Sequence, residues 1–463
     1  MRETSNFAQF WIMTRIHLLA AICLSLLMSQ LVQHAHAQII PGAERLDRYI
    51  PLLEGKRVGV FANQTSMVGN THLVDTLLAS GIKITVIFGP EHGFRGKADA
   101  GEKVGNTVDE KTGIPVISLY GAKRRPDQKD LQEVDVLLFD IQDVGVRFYT
   151  FISSLEEYIL SAIEFKKPLI LLDRPNPNGH YVDGPVLDTR YRSFIGRQPV
   201  PIVYGMTVGE YAGMLLGEKW IPVDKYIKRS EQSPGSLNAV ASLSTENPVS
   251  DEQGEAPLFQ DDREEKELKL KDDAFQLLVI TCAQYDHNAR YVLPVKPSPN
   301  LPNIQSIYLY PFTCFFEGTV FSEGRGTDKP FQVFGHPDLP KTLYSFTPNP
   351  NDGAKNSKLY GKKCYGWDLS GTPDKVSKLV NNRVQLKWLL QGYQQFPKKD
   401  SFFLLPKSGK MEESFFTKLA GNNDLWQQIK KGMTEDQIRA TWQPKLNEFK
   451  AIRKKYLLYK DFN

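Results

Sequence analysis

The sequence has few cysteines and almost no net charge, and each shortage excludes a class of protein. It contains 4 Cys in 463 residues, too few and too widely spaced for a disulfide scaffold or a zinc finger. Its formal net charge of +4 leaves no electrostatic footprint for a nucleic-acid partner. Because 41% of the residues are hydrophobic and 11% are aromatic, the composition is typical of a globular chain, long enough for two or three domains.

Several catalytic motifs are also missing. The chain has no Gly-x-Ser-x-Gly elbow, no His-Glu-x-x-His pair and no Walker loop. A dinucleotide-binding domain would carry Gly-x-Gly-x-x-Gly after its first strand, where this chain has Gly59-Val60-Phe61-Ala62-Asn63. The 8 His are scattered along the chain. We therefore expect neither a nucleotide cofactor nor a metal centre.

The first 37 residues are predicted to be a signal peptide. An apolar run from Leu18 to Met28 follows Arg15, and it is long enough for a signal h-region but too short for a membrane span. Ala35 and Ala37 supply the small residues that signal peptidase requires. We expect cleavage near Ala37/Gln38, export to the periplasm or beyond, and no membrane span after cleavage.

Two alternatives to a cleaved signal stay open, namely an uncleaved anchor and a lipoprotein. A lipoprotein needs a small residue before the acylated cysteine, and Ile22 stands before Cys23. Cleavage would leave an odd number of cysteines with no Cys-x-x-Cys pair. We expect these to be buried thiols, although one bridge among them is also compatible with an oxidising compartment. The remaining cysteines are Cys282, Cys314 and Cys364.

Short, continuously apolar runs recur between residues 57 and 175. Continuous rather than alternating hydrophobicity is typical of parallel strands that are buried on both faces. Amphipathic segments lie between the runs, so the pattern predicts βαβ units in a doubly wound parallel α/β domain over residues 45–228. The predicted strands are Arg57–Phe61, Ile84–Phe88, Pro115–Leu119, Val134–Phe139 and Pro168–Leu172, and the predicted helices are Thr71–Ala79 and Phe151–Phe165.

The pattern changes after residue 228. Residues 229–273 carry ten acidic residues from Asp251 onward and little periodicity, which predicts an acidic, mobile insertion or linker. We assign 274–463 to a second, smaller α+β domain. There the sequence predicts a strand at Phe275–Cys282, an extended Pro-rich crossing at 294–302 and a helix that begins at a Thr434 cap.

Polar side chains follow four of the five predicted strands. Ligands of open parallel sheets bind beyond the carboxyl ends of the strands, so these residues predict a binding pocket at one edge of the sheet. The second domain adds a run around Gly-Arg-Gly with Glu323, Arg325 and Thr327. The strand-end candidates are Asn63, Gln64, Glu91, His92, Asp140, Asp143, Arg147, Tyr149, Asp173, Arg174 and Asn176.

Each of these residues also has a structural interpretation. Asp140 and Asp173 are plausible strand-end or helix-cap carboxylates. Arg147 and Arg174 could form ion pairs with those same carboxylates, and His92 could bond a backbone carbonyl. Glu91 is harder to explain as a cap, because a cap at that place would more naturally be Asp or Ser.

The candidate residues favour carboxylate-based acid/base chemistry on a polar, anionic substrate. Glycoside hydrolysis is one such chemistry, since it needs a protonated carboxylic acid at the leaving oxygen and a second carboxyl or substrate group opposite. An exported sugar- or muropeptide-binding protein without turnover is the main alternative. An esterase or amidase ranks last, because no nucleophile motif is present.

Six ordered motifs resemble those of the exo-β-N-acetylmuramidase family, formerly a family of unknown function. The resemblance runs from about residue 50 to the C-terminus. It implies a Rossmann-like domain joined to a smaller C-terminal domain, with the site between them. It also implies release of terminal N-acetylmuramic acid from the non-reducing ends of peptidoglycan fragments. The motifs begin at Gly59, Phe88, Asp140, Asp173, Tyr204 and Ser322.

The resemblance also implies roles for particular residues. The Glu of the family's Pro-Glu-His-Gly motif corresponds to Glu91, which we expect to be the general acid. Asp140, Asp143 and Glu323 compete for the role of orienting the substrate's acetamido group, which could itself act as nucleophile. Arginine would suit the lactyl carboxylate. The full set of predicted catalytic residues is Glu91, Asp140 and Glu323, and that of substrate-binding residues is Asn63, Gln64, His92, Asp143, Arg147, Tyr149, Asn176, Tyr204, Arg325 and Thr327.

Overall fold

The computed structural model describes residues 38–91, 93–94, 105–223, 265–269 and 275–462. The predicted signal peptide and His92 lie outside these ranges. From Pro41 onward the chain forms one compact unit. Within the described ranges, no helix is long and apolar enough to cross a membrane.

A mixed sheet of eight strands, counted over the described residues, forms the centre of this unit. Six neighbouring strands are parallel, and one antiparallel strand closes each edge. In spatial order the strands are β5 (Thr107–Val108), β6 (Pro115–Ser118), β4 (Lys83–Gly89), β1 (Arg57–Ala62), β7 (Val136–Asp140), β8 (Leu169–Leu172), β10 (Gln276–Ile280) and β9 (Glu265–Lys269).

Helices cover both faces of the sheet, which is why the strands are continuously apolar. On one face, α1 (Leu46–Leu53) and α2 (Leu73–Ala79) pack in one hydrophobic cluster. On the other face, α3 (Phe151–Glu164) and α4 (Val208–Gly217) belong to a second, larger cluster. A two-residue hairpin, β2 (Met67–Val68) and β3 (Thr71–His72), leads into α2. The predicted helix at Thr71 therefore begins two residues later, with His72 as its cap.

The strand order places a topological switch point at β1. The chain builds β4 and then β6 on one side of β1, and it returns to form β7 and β8 on the other side. Loops that leave β1 and β7 therefore diverge at this point and open a crevice at the carboxyl edge of the sheet. The predicted α/β fold class is confirmed.

The remaining helices and a small sheet follow β10. The sheet contains β11 (Val333–His336), β12 (Tyr344–Phe346) and β13 (Cys364–Asp368), with β13 in the middle. A Thr434–Gln437 capping box starts the last helix, as the sequence predicted. The helices are α5 (Ile304–Thr313), α6 (Pro373–Val380), α7 (Lys387–Gln395), α8 (Phe415–Ala420), α9 (Leu425–Lys430) and α10 (Glu435–Lys454).

Two segments differ from the sequence-based organisation. The strand predicted at Phe275–Cys282 exists as β10, but it pairs in parallel with β8 in the central sheet rather than in a separate domain. Residues 265–269 of the predicted insertion form β9, antiparallel to β10. The rest of 229–273 lies outside the described residues. The described cysteines, Cys282, Cys314 and Cys364, are free and buried, as expected.

Candidate functional site

Loops from the carboxyl ends of β4 and β7 meet the C-terminal half of the chain at a partly open cavity. Its polar lining comes from Glu91 after β4, Tyr149 and Thr150 after β7, and Arg325. Phe148, Phe151, Tyr310 and Phe331 form apolar walls, and Ser298, Asn300 and Leu301 come from the Pro-rich crossing. The cavity thus lies beside the switch point of the sheet.

Glu91 is fixed in this cavity by two hydroxyl groups. It stands two residues after β4, in a turn that Gly93 closes by donating its N–H to the Pro90 oxygen at 3.0 Å. Thr150 donates its hydroxyl to Glu91 Oε2 at 3.3 Å. The Tyr120 hydroxyl also bonds Glu91, and burial together with the Glu91 charge raises the pKa of Tyr120 to about 12. These two bonds hold the Glu91 carboxyl group in one position at the cavity.

The Pro-rich crossing is attached to the sheet loops by a shared carbonyl oxygen. Tyr149 donates its hydroxyl to the Pro297 oxygen at 2.9 Å, and the Gln64 amide donates to the same oxygen at 3.0 Å. The predicted residues Gln64 and Tyr149 therefore hold one wall of the cavity. Tyr149 also lines it directly.

Arg325 presents part of its guanidinium to the cavity. Its Nε and Nη2 donate to Glu317 Oε1 at 3.0 and 2.6 Å, and Glu323 Oε1 lies 3.5 Å from Nε. Burial lowers the pKa of Arg325, but these two carboxylates outweigh burial and raise it above the ordinary value. Nη1 is buried and makes no hydrogen bond with any described residue. Arg325 lines the cavity, and Nη1 is the guanidinium nitrogen that its carboxylate partners leave unbonded.

Asp143 and Tyr204 form a buried pair behind this wall. Asp143 Oδ2 accepts the Tyr204 hydroxyl and the Gly145 N–H, the latter at 2.6 Å. Burial raises the pKa of Asp143 to about 7, despite these bonds. Burial raises the pKa of Tyr149, and the negative charges of Asp143 and Glu91 raise it further. The three groups are therefore near neighbours, although Asp143 is not among the residues that line the cavity.

Asp140 forms a buried ion pair with Arg174, which was the structural alternative to a catalytic role. Its carboxylate is fully buried and accepts Arg174 Nε at 2.5 Å and Nη2 at 2.8 Å. Asp173 is buried as well and accepts the Tyr459 hydroxyl at 2.6 Å and the Gly209 N–H at 2.9 Å. Burial raises the pKa of Asp173 to about 6. Neither carboxylate lines the cavity.

Arg147 is fully buried and faces away from the cavity. Its guanidinium donates to the backbone oxygens of Pro185, Val200 and Leu419, at 2.9, 2.9 and 2.7 Å. The alternative role considered for Arg147, an ion pair with Asp140 or Asp173, is therefore not observed, and its predicted contact with substrate stays a prediction. Arg147 instead ties the loop after β7 to the end of α8.

The other predicted site residues support loops. Asn63 caps its own turn through Thr65, and Asn176 donates to the Met206 oxygen at 2.8 Å. Glu323 pairs with Lys358 at 2.9 Å, and the Thr327 hydroxyl donates to the Gly324 oxygen at 2.7 Å. None of these four candidates lines the cavity. Their predicted contacts with substrate stay predictions, as does the predicted role of His92.

Sequence reasoning missed several residues of the site. Tyr120 follows the third predicted strand at the same sheet edge, so the rule that found Glu91 could also have found Tyr120. Nothing in the spacing of Glu317 predicts its bond to Arg325. Asn300 and Tyr310 carry no local signal, because only the folded chain brings them to Glu91. Within the described part of the chain, no cluster of three His, Cys, Asp or Glu could hold a metal.

Comparison with known proteins agrees with this architecture. A family model for the N-terminal part of the exo-β-N-acetylmuramidase NamZ matches residues 58–248, and the model for its C-terminal part matches residues 308–459. The peptidoglycan β-N-acetylmuramidase NamZ of Bacillus subtilis (strain 168) is 35% identical in an alignment of 432 residues that covers 89% of this chain and 89% of that protein.

Two solved structures of DUF1343 family proteins from Bacteroides fragilis NCTC 9343 have a similar fold. One is 39% identical with a TM-score of 0.72, and the alignment covers 92% of this chain and 100% of that one. The other is 24% identical with a TM-score of 0.65, over 91% and 99% of the two chains. The two family models, the B. subtilis relative and these folds confirm the resemblance of the six motifs, and the chain belongs to the exo-β-N-acetylmuramidase family of glycosidases.

Proposed function

We propose that this chain is an exported glycoside hydrolase that releases terminal β-linked N-acetylmuramic acid from the non-reducing ends of peptidoglycan fragments. One observation carries the proposal beyond family membership. Glu91, a carboxyl group fixed by two hydroxyls, lines the same cavity as Arg325, whose Nη1 has no hydrogen-bond partner among the described residues. An acid and an anion-binding group in one pocket suit an acidic sugar.

In the proposed reaction, Glu91 donates a proton to the oxygen that joins the terminal sugar to the rest of the glycan. Thr150 and Tyr120 keep the carboxyl group in place as the bond breaks. The acetamido carbonyl of the sugar is the nucleophile in this scheme, since no second carboxylate of the described residues lines the cavity. Water then opens the cyclic intermediate, and Glu91 acts as the base in that step.

Arg325 is the proposed partner of the lactyl carboxylate, which distinguishes N-acetylmuramic acid from N-acetylglucosamine. A guanidinium forms short, charge-assisted bonds with carboxylates. Glu317 already occupies Nε and Nη2, so the substrate would bind through Nη1. Glu317 thereby orients the guanidinium while leaving one donor for the ligand.

The substrate lies outside the cytoplasm, which agrees with the proposed signal peptide at residues 1–37. Cell fractionation of a tagged full-length chain, followed by N-terminal sequencing of the exported form, tests this part. We expect a mature start at Gln38. A cytoplasmic chain that retains Met1 would contradict export.

A chromogenic aryl β-N-acetylmuramide tests the activity, with the matching β-N-acetylglucosaminide as control. We expect the aglycone to be released from the muramide only. Glu91→Gln, which keeps the shape and removes the proton donor, should lower kcat by about 10² to 10⁴. Binding of the muramide without release over a long incubation would instead favour a sugar-binding protein.

A further inference from the structure

Arg124 lies near Glu91, and none of the described carboxylates pairs with its charge. It lies in the loop that follows β6, at the same sheet edge as Glu91. Its guanidinium carbon stands 3.8 Å from the centre of the Phe194 ring. Its Nη1 is buried and makes no hydrogen bond with any described residue. Stacking fixes the plane of the guanidinium but satisfies none of its N–H groups.

The two neighbouring cations show what Arg124 lacks. Lys123 pairs with Asp127 at 2.8 Å and with Asp130 at 2.5 Å. Arg125 pairs with Glu164 at 3.2 Å. No described carboxylate lies within ion-pair distance of Arg124. A buried N–H without a hydrogen bond destabilises the folded chain. A ligand that supplies an acceptor for this N–H would remove the destabilisation.

Arg124 is also close to the reacting centre. Its positive charge acts on the Tyr120 hydroxyl, which in turn bonds Glu91. Arg124 is not among the residues that line the cavity shared by Glu91 and Arg325. Arg124 is therefore near Tyr120 but does not line the pocket proposed for the terminal sugar. Because an acid protonates the bridging oxygen, the region next to the acid and outside that pocket belongs to the leaving group.

We propose that Arg124 binds a carboxylate on the leaving-group side of the substrate. The inference rests on the proposed function, in which the leaving group is a peptidoglycan fragment. Such a fragment carries a carboxylate on every second sugar, either as a free lactyl group or through its peptide. The stacked guanidinium of Arg124 would bind that group through in-plane, charge-assisted bonds.

Two trisaccharides test the proposal with the mature chain. Both have the sequence MurNAc-GlcNAc-MurNAc, and in one of them the lactyl carboxylate of the reducing-end sugar is converted to an amide. We expect wild type to show a higher kcat/KM on the acid form. Arg124→Met should lower kcat/KM on the acid form by about 10- to 100-fold and bring the two substrates close to equality.

Arg125→Met is the matched control, because it removes the adjacent positive charge but not the unpaired one. It should retain the preference for the acid form. Arg124→Lys keeps the charge but loses the planar guanidinium, so it should reduce the preference for the acid form only in part. If the melting temperature shows that Arg124→Met does not fold, Arg124→Lys replaces it in the test. A wild type that does not distinguish the two trisaccharides would overturn the proposal. So would an equal loss on both of them in Arg124→Met.

A third substrate separates the two sources of a carboxylate. An aryl β-muramide whose own lactyl group is amidated lacks only the terminal carboxylate. If Arg124→Met removes the discrimination between this compound and its acid form, Arg124 binds the terminal sugar and the proposal is wrong. If wild type hydrolyses none of these compounds, the proposed function itself fails.

Discussion

Replacing Asp140 by asparagine tests whether the buried pair with Arg174 holds the carboxyl edge of the sheet together. The Asp140 side chain is 0% exposed and that of Arg174 is 2% exposed. Asparagine keeps the shape and offers one acceptor oxygen, whereas the carboxylate accepts both Nε and Nη2 of Arg174. Asp140→Asn therefore leaves one N–H unbonded and the guanidinium charge without its partner.

Breaking a buried ion pair by changing one partner costs about 3 to 5 kcal/mol. Domains are typically stable by only about 5 to 15 kcal/mol, so the loss should be large. Urea unfolding of the mature chain, followed by circular dichroism, measures the free energy of unfolding. We expect Asp140→Asn to lower it by about 3 to 5 kcal/mol.

A paired substitution separates the ion pair from the burial of each side chain. Asp140→Leu combined with Arg174→Met removes both charges together, and apolar replacements of a buried pair are often neutral. The double variant should therefore be more stable than Asp140→Asn. A loss below about 1 kcal/mol in Asp140→Asn, or a double variant less stable than it, would refute a structural role for the pair.

Three further predictions concern Asp143, Gly421 and Glu317. Because burial raises the pKa of Asp143 to about 7, the unfolded chain loses this proton first, so urea unfolding should show stability falling from about pH 4 to pH 7. Asp143→Asn should make that slope shallower, leaving the part that Asp173 contributes through its own raised pKa, and an unchanged slope would contradict the pKa of Asp143. Gly421 has φ of +73°, and an added Cβ would lie 2.7 Å from Arg147 Nη2. At the control position Gly432, φ is +71° and no atom lies within contact distance of an added Cβ. Gly421→Ala should therefore lower the free energy of unfolding by at least about 1 kcal/mol more than Gly432→Ala. Equal urea midpoints for the two would contradict the packing. Glu317→Gln should raise KM for the aryl muramide several-fold more than it lowers kcat, because Glu317 orients Arg325, whereas the exposed Glu413→Gln should change neither.

Local sequence was sufficient for the strands and for Glu91. Each buried strand of the parallel sheet is an apolar run that ends at polar residues, and both signals are local. Glu91 was predicted to lie at a pocket because the strand ends of such a sheet meet at one edge, and this rule does not depend on the rest of the fold. The same rule applied to the third strand would have added Tyr120.

Tertiary partners decided the roles of the arginines. Arg174 pairs with Asp140, 34 residues away. The sequence allowed this ion pair as one alternative, but it did not decide between the ion pair and a role in substrate binding. Arg147 bonds the Leu419 oxygen, 272 residues away, and no spacing predicts such a contact. The strand β10 was predicted correctly, but its place beside β8 depends on pairing across 108 residues (277 − 169) that a local pattern does not specify.

The chain is proposed to release terminal N-acetylmuramic acid from non-reducing ends, with Glu91 as the acid. Mass analysis of a peptidoglycan digest, incubated with and without the mature chain, tests it most directly. We expect free N-acetylmuramic acid to appear with wild type and to be nearly absent with Glu91→Gln. Internal cleavage into longer oligosaccharides, or the same release by Glu91→Gln, would contradict it.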